Sequence, residues 1–554
     1  MFLQATVILP LAVRIFIALF TRTFFQPDEY FQALEPAHHI VFGYGHLTWE
    51  WLSPQPIRSI VYPAVNVPIY WFLKQTGLER LSILLVLCPR VLHGSLAALT
   101  DIWLCELTRR VIGERYVETA LLLSLTSFFH ALSLSRSLSN SLETSLTTMA
   151  LAYYPWTSNY TAKNKSDIRK MLLFAALACT FRITNAVIWI FLLPILLWKL
   201  RTNTKLLIST CSDIVSIGST GLAAVFALDS IYYHSPTFTP LSFVTTNLSG
   251  VSLFYGNSSW HYYISQALPV LCTTSLPFVV DGIWKSLRVT RNSLERTLLG
   301  VIVWTISVYS LAGHKEWRFI HPLLPLLHIF AAKSLVDRSS SSLKMKPKSA
   351  TWHLPIRKGF LCLLLAPLPI SAWIVLFHCS GPISVMSFIR NIHQDELRGG
   401  VVGLLMPCHS TPGHAYLHLP QLANGGLWAL GCEPPLENQN VSTYRDQATV
   451  FFANPYKYLI ERFPPSVDPT FPLSPHPASI PGKTTSDDDA WRHEWPRYLV
   501  LFGALLDKQD VGILLTDKGY EEVWRRGWSW EGDSDERKGG VRVWKWQERP
   551  AVGH

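Results

Sequence analysis

Long apolar runs separated by short polar turns fill the first two thirds of the chain, near residues 3–21, 81–107, 117–134, 143–156, 171–185, 186–200, 206–230, 263–285, 297–313, 319–334 and 358–378. A helix needs about 20 apolar residues to cross a bilayer. The repeated runs predict about eleven membrane spans, some of them shorter than a full crossing. Residues 56–74 are also apolar but carry Pro56, Pro63 and Pro68, which predicts a re-entrant or interfacial segment. After residue 379 the pattern changes. Short strand-like runs at 400–406, 449–453, 497–503 and 541–546 alternate with polar and Gly-rich stretches, and the Pro-rich residues 464–481 read as a linker or long loop. The expected fold is mostly α: a polytopic membrane domain over 1–378, then a small mixed α/β domain over 379–554. No internal repeat is evident.

Composition sharpens this picture. Of 554 residues, 49 % are hydrophobic and 16 % charged, against about 25 % charged in soluble domains. The net charge of +10 could mark a nucleic-acid partner, but the basic residues sit in short clusters between apolar runs and read as topology signals. These clusters are Arg109, Arg110 and Arg115; Lys163, Lys165, Arg169 and Lys170; Lys199, Arg201 and Lys205; Lys285, Arg288, Arg291 and Arg296; and Arg338, Lys344, Lys346, Lys348, Arg357 and Lys358. Threading eleven spans in order puts all of them on one side, with a cytosolic N-terminus. The loop at 22–80, the turns near 135–142, 231–262 and 314–318, and everything after 379 then face the lumen. Asn247, Asn257 and Asn440 become glycosylation candidates, whereas Asn159 and Asn164 would be cytosolic and silent. Residues 3–21 lack a basic n-region and a cleavage site and read as a retained span.

Six of the nine cysteines lie in apolar runs and read as packing residues. Cys408 and Cys432 lie in the polar C-terminal region and are disulfide candidates if that region is lumenal. No Cys/His spacing points to a metal. Asp487-Asp488-Asp489 reads as a solvated loop rather than a metal site.

Two clusters could carry chemistry. Directly after the first span comes Pro27-Asp28-Glu29-Tyr30. Proline followed by two acids fits a helix N-terminus, and a carboxylate held there at the membrane surface also suits a general base. The same loop continues through Glu35, His38 and Phe42-Gly43-Tyr44-Gly45-His46-Leu47-Thr48-Trp49-Glu50-Trp51. Its aromatic and polar residues suit either a sugar-binding face or an interfacial aromatic belt. The second cluster, His314-Lys315-Glu316-Trp317-Arg318-Phe319-Ile320-His321, packs five ionisable groups into a short turn. Positive charge there runs against the rule the other loops obey, and a phosphate ligand would explain it. Arg136 and Arg182, near span ends, are weaker candidates of the same kind. Arg90 and Asp101, inside the second span, read as groups paired within the membrane.

The Pro-Asp-Glu motif, the Ser135-Arg136-x-x-Ser139-Asn140-Ser141-Leu142-Glu143 stretch and His314-Lys315-Glu316-Trp317-Arg318-Phe319 resemble the glycosyltransferase family 22 mannosyltransferases, which have the multi-spanning GT-C fold. The Tyr30 to Trp51 segment and Met406-Pro407-Cys408-His409-Ser410-Thr411-Pro412 are similar to the branch that adds the third mannose of the glycosylphosphatidylinositol (GPI) core. Gln26 stands where the family often has His, and Ile183 where Arg-Pro-Thr is usual. The resemblance implies an endoplasmic-reticulum enzyme that moves mannose from dolichyl-phosphate mannose to the 2-hydroxyl of the second mannose of the GPI precursor, with inversion. It implies no cofactor and no metal, with membrane lipids around both substrates. Asp28 would be the base and Glu29 its helper. His314, Lys315 and Arg318, with Arg136 and Arg182, would hold the donor phosphate. Tyr30, Glu35, His38, Trp49, Glu50 and Trp51 would hold the acceptor. The alternatives are a family member acting on the dolichol-linked N-glycan precursor or adding the fourth GPI mannose, a polytopic transporter, or a non-catalytic membrane subunit.

Overall fold

The computed structural model describes residues 2–156, 162–288, 294–340, 355–436, 440–474 and 491–548. Asn159, Arg291, Lys344, Lys346, Lys348, residues 475–481 of the Pro-rich stretch and the Asp487-Asp488-Asp489 run lie outside them. A helical segment falls on every one of the apolar runs, including Phe2–Phe20, Ser82–Val111, Val117–Thr126, Ser139–Tyr153, Ala162–Phe181, Ala186–Leu200, Thr204–Tyr233, Leu276–Arg288, Leu294–Ser310 and Leu324–Ser340. Six described helical stretches are long and apolar enough to cross a membrane: Ser82–Val111, Ile183–Leu200, Thr204–Tyr233, Tyr263–Arg288, Trp317–Ser339 and Lys358–Arg390. The protein is a multi-pass membrane protein.

One of the shorter helices is an interior element. Ser139–Tyr153 is buried from Asn140 to Ala152 although it carries seven Ser, Thr, Asn and Glu side chains in that stretch. Its hydroxyls are satisfied within the bundle. Thr144 Oγ1 donates to Asn140 O at 2.7 Å, Thr148 Oγ1 to Thr144 O at 2.8 Å, and the Ser145 and Thr100 hydroxyls meet at 2.8 Å. A helix surrounded by other helices can carry such groups because each finds a partner there. The buried charges obey the same requirement. Arg14 and Asp101, both fully buried, form a two-point pair at 2.7 and 2.9 Å, and Ser124 Oγ donates to the same carboxylate at 2.6 Å. Arg90 donates to Tyr416 Oη at 3.2 Å.

Beyond the bundle, five strands form one mixed sheet: β1 Val402–Leu405, β2 Leu427–Ala429, β3 Tyr498–Phe502, β4 Tyr520–Arg526 and β5 Val541–Trp546, in the order β2-β1-β3-β5-β4. β1 runs parallel to β2 and β3, and β5 is antiparallel to β3 and β4. β1 and β3 are buried on both faces, so they read as continuous apolar runs. One face packs on the first loop and the Gly381–Arg390 helix through Tyr30, Val385, Val402, Val500 and Val543. The other is covered by the helices Gln447–Ala453, Pro455–Arg462 and Val511–Asp517.

Residues 449–453, expected as a strand, are helical. Asp446 accepts from Thr449 N at 2.7 Å and caps the Gln447–Ala453 helix. Strands β2 and β4 were not expected. β4 is an exposed edge strand carrying Glu521, Glu522, Arg525 and Arg526, charges that protect a free edge and hide it from a hydrophobic scan. In the 56–74 segment, a short turn at Pro63–Val65 leads into a helix, Val67–Gln75.

Four histidines of this region are buried and neutral: burial pushes His38, His409 and His493 down to about 3 and His414 to about 4. Below pH 6.5 the unfolded chain binds protons these imidazoles refuse, so acid favours unfolding by about 1.4 kcal/mol per pH unit for each. Glu35 and Glu433, raised by burial to about 7, act in the opposite sense because their stabilisation is lost as pH rises to 7. Four bases outweigh two acids. The thermal midpoint of the purified protein should fall between pH 7 and pH 5, and a constant or rising midpoint would contradict this packing.

Candidate functional site

Pro27 and Asp28 open a helix that runs to Phe42, with Tyr30 N bonded to Pro27 O at 2.9 Å and a π-turn over Tyr30–Leu34. The wide turn gives consecutive residues different surroundings. Asp28 lines a cavity of about 570 Å³, whereas Glu29 points into the protein.

Arg318 reaches the cavity from the short helical segment Trp317–Leu323 that opens the Trp317–Ser339 stretch. Its Nη1 lies 2.5 Å from Asp28 Oδ2, and its Nε and Nη2 donate to Glu316 at 2.6 and 2.8 Å. The Arg318 backbone carbonyl accepts from Asn140 Nδ2 at 3.2 Å. His314 Nε2 meets Glu316 at 3.2 Å. Burial would raise the Glu316 carboxyl, but Arg318 and His314 outweigh it and hold the group well below the usual carboxylate range. Arg182, paired with Glu143 at 3.1 Å, lines the same cavity, as do Phe319, Trp49 and Glu50.

Sequence reasoning missed several lining residues. Arg58 pairs with Glu50 at 2.7 Å and Gln32 Nε2 donates to Glu50 at 3.1 Å. His409, Cys432 and Arg537 enter from the sheet domain. A lone arginine within an otherwise apolar segment was the available signal for Arg58. Arg537 had none, because only the fold brings it there.

Other candidates lie elsewhere. Arg136 is buried and committed: it donates to Glu29 at 3.0 Å, to Thr23 O and Leu132 O at 2.7 Å, and to Thr23 Oγ1 at 2.9 Å. It does not face the cavity as a phosphate ligand, and Glu29 is its buried partner rather than a second carboxylate beside Asp28. Lys315 donates to Ser258 O at 2.8 Å and is absent from the cavity wall. Tyr30 is buried between the Phe24 and Tyr416 rings. Trp51, whose Nε1 donates to Phe31 O at 2.9 Å, faces a neighbouring cleft.

Glu35 and His38 join the first loop to the sheet domain. Glu35 is fully buried and accepts from Ala415 N at 2.6 Å and His46 N at 2.9 Å. A Cβ at position 413 would stand 2.7 Å from Glu35 Oε1, so only glycine allows this approach. His38 Nε2 meets His418 Nδ1 at 2.9 Å. Cys408 and Cys432 form a disulfide with Cα atoms 6.0 Å apart. Of the glycosylation candidates, Asn257 and Asn440 are exposed, while Asn247 is exposed on the cavity rim with its amide bonded to Phe243 O at 2.8 Å.

The main cavity extends toward the membrane helices. A cleft lined by Gln32, Arg58, Arg182 and Phe243 adjoins the main cavity. Through Cys179, Thr180, Ile183 and Val225 it continues into an apolar groove of about 520 Å³ between the helices Ala162–Phe181, Ala186–Leu200 and Thr204–Tyr233.

A helical membrane bundle with a cavity under a small sheet domain is the architecture of the GT-C fold. The fold is shared with ArnT from Cupriavidus metallidurans bound to undecaprenyl phosphate, at a TM-score of 0.54 and 12 % identity over 98 % of both chains. The chain belongs to the Alg9-like mannosyltransferase family, which it matches over residues 5–418. It is 34 % identical to GPI mannosyltransferase 3 of Aspergillus fumigatus over 96 % of this chain and 76 % of that one. It is 33 % identical to GPI alpha-1,2-mannosyltransferase 3 of Mus musculus over 82 % of this chain and 78 % of that one. The human protein of the same name is 32 % identical over 82 % and 76 %.

The burial of Arg136 and Glu29 predicts that Arg136→Ala, which strands a buried carboxylate, costs about 3–5 kcal/mol of stability. Asp28→Asn leaves Arg318 paired with Glu316 and keeps an oxygen that can accept from it, so it should lower the thermal midpoint less than Arg136→Ala does. Comparable midpoints for all three proteins would refute the assignment of Glu29 to a structural pair.

Proposed function

We propose that this enzyme transfers mannose from dolichyl-phosphate mannose to the 2-hydroxyl of the second mannose of the GPI precursor, adding the third mannose through an α-1,2 bond. The relatives' names supply the acceptor and the linkage. The single observation that carries the chemistry is Asp28 in a cavity ringed by Arg318, Arg182, Arg58 and His314 and continuous with an apolar groove.

The acceptor hydroxyl attacks the anomeric carbon, its proton passes to Asp28, and the bond from that carbon to the phosphate oxygen breaks. The electron pair leaves with dolichyl phosphate. Developing negative charge on that phosphate is best stabilised by guanidinium groups already held in place. Arg318 is oriented by Glu316 and Arg182 by Glu143, so neither needs to reorganise during the reaction. The groove between three membrane helices suits an isoprenoid chain, with Arg182 and Arg58 where its phosphate would emerge. The orientation consistent with this reading places the cavity and sheet domain in the endoplasmic-reticulum lumen, where Cys408 and Cys432 would meet an oxidising environment.

Cells lacking the third-mannose step provide the test. Wild type should clear the two-mannose GPI intermediate, read by mass. Asp28→Asn, expressed equally, should lower turnover at least about 100-fold, the usual scale for loss of a general base. A two-mannose intermediate untouched by wild type would overturn the acceptor, and normal turnover by Asp28→Asn would overturn the base. For orientation, Asn440→Gln should abolish one glycosidase-sensitive mobility shift, and a chain with no such shift at Asn257 or Asn440 would contradict a lumenal sheet domain.

A further inference from the structure

A second cavity of about 350 Å³ lies between the bundle and the sheet domain. It meets the first at Gln26, Pro27 and Arg537, which line both. Its bundle side is aromatic, with Phe24, Phe25, Phe128 and Trp317, and its domain side carries Arg526, Glu531, Asp533 and Arg537. The reaction joins two lipid-linked molecules at one carbon, and inversion requires the attacking and leaving oxygens on opposite sides of it. The apolar groove reaches the cavity from the side of Arg58 and Arg182. The second cavity reaches the Gln26-Pro27-Asp28 turn by way of Arg537, and its ring-lined, charged walls suit a glycan and its head group better than an isoprenoid chain.

Arg537 differs from the other guanidiniums on the main cavity. Arg318, Arg182 and Arg58 are each paired with a carboxylate that is at least four-fifths buried. Among the described residues Arg537 pairs only with Asp533, whose side chain is 72 % exposed, and its buried Nε has no partner there. Exposed pairs of this kind contribute little, so Arg537 can give its charge to a ligand at small cost. Its position is nonetheless fixed. Gly532, at φ +133°, lets its own backbone approach so closely that a Cβ there would meet Arg537 O at 2.6 Å. Ala504 N also binds the next residue's carbonyl, Lys538 O, at 3.0 Å.

We infer that Arg537 is an acceptor-specificity residue of the sheet domain, binding a phosphate ester carried by the acceptor where the two cavities meet. This rests on the mannosyl-transfer reading above. A phosphate could also come from the donor, and the experiment separates the two sources. Steady-state kinetics would use the full-length enzyme in detergent with dolichyl-phosphate mannose and two acceptors: a phosphate-bearing dimannosyl lipid and a synthetic dimannoside without phosphate. In wild type the phosphate-bearing acceptor should have a KM at least about tenfold lower than the phosphate-free one. In Arg537→Ala that ratio should collapse toward one, and Arg537→Lys should restore part of it. A ratio unchanged by Arg537→Ala overturns the assignment, and so does a shift confined to the donor KM, which would place the residue on the leaving phosphate. Wild type inactive on both acceptors would instead overturn the transfer reading itself. Asp533→Ala, which frees Arg537, should retain or widen the ratio.

Discussion

Arg318 is the constraint on which the site depends. A guanidinium cannot lose its charge at any accessible pH, so a buried one must be matched by carboxylates. Arg318 takes two, Glu316 from its own turn and Asp28 from the first loop, 290 residues earlier. That single cation fixes the distance between the two motifs and keeps Asp28 beside positive charge. The same logic recurs behind the cavity. Arg136 holds Glu29, Arg182 holds Glu143 and Arg14 holds Asp101. Removing one member of such a pair is far costlier than replacing both, so these pairs fix how the helices pack together.

The sheet domain is part of the site. Its inner face packs on the first loop, and Glu35 fastens the two by accepting backbone N–H groups from both. His409, Cys432 and Arg537 then close a wall that the bundle leaves open. The neighbouring residues of the first loop thus divide their roles by depth. Asp28 serves the cavity, Glu29 the bundle, and Glu35 and His38 the joint with the sheet.

Much of the helical architecture was legible in the sequence, because apolar runs near bilayer length leave few alternatives. β1 and β3 were legible because they are apolar and buried, and β5 because its buried valines alternate with more exposed positions. The strand expected at 449–453 was not, since a short apolar run carries no period and the deciding signal was the Asp446 cap. The two charge clusters were also legible, because ionisable groups beside membrane spans are expensive. Their internal allocation was not. Nothing local tells which way Glu29, Arg136, Lys315, Glu35 and Arg58 point, and only tertiary contacts decide which of them face the cavity. Arg537 lies in an ordinary polar loop, and nothing local distinguishes it.

The joint at Glu35 has a consequence for biosynthesis. One partner of that carboxylate, Ala415, is made 380 residues after it, and the cavity wall at Arg537 is made later still. A nascent chain that has just inserted its last membrane helix holds Asp28 and Arg318 but lacks the wall that encloses them. The first loop must therefore wait, with a buried-type carboxylate still in water, until the final strands emerge from the ribosome. Completion of the pocket thus waits for translation of the sheet domain, and a chain stopped before that domain carries Asp28 and Arg318 without an enclosed place to use them.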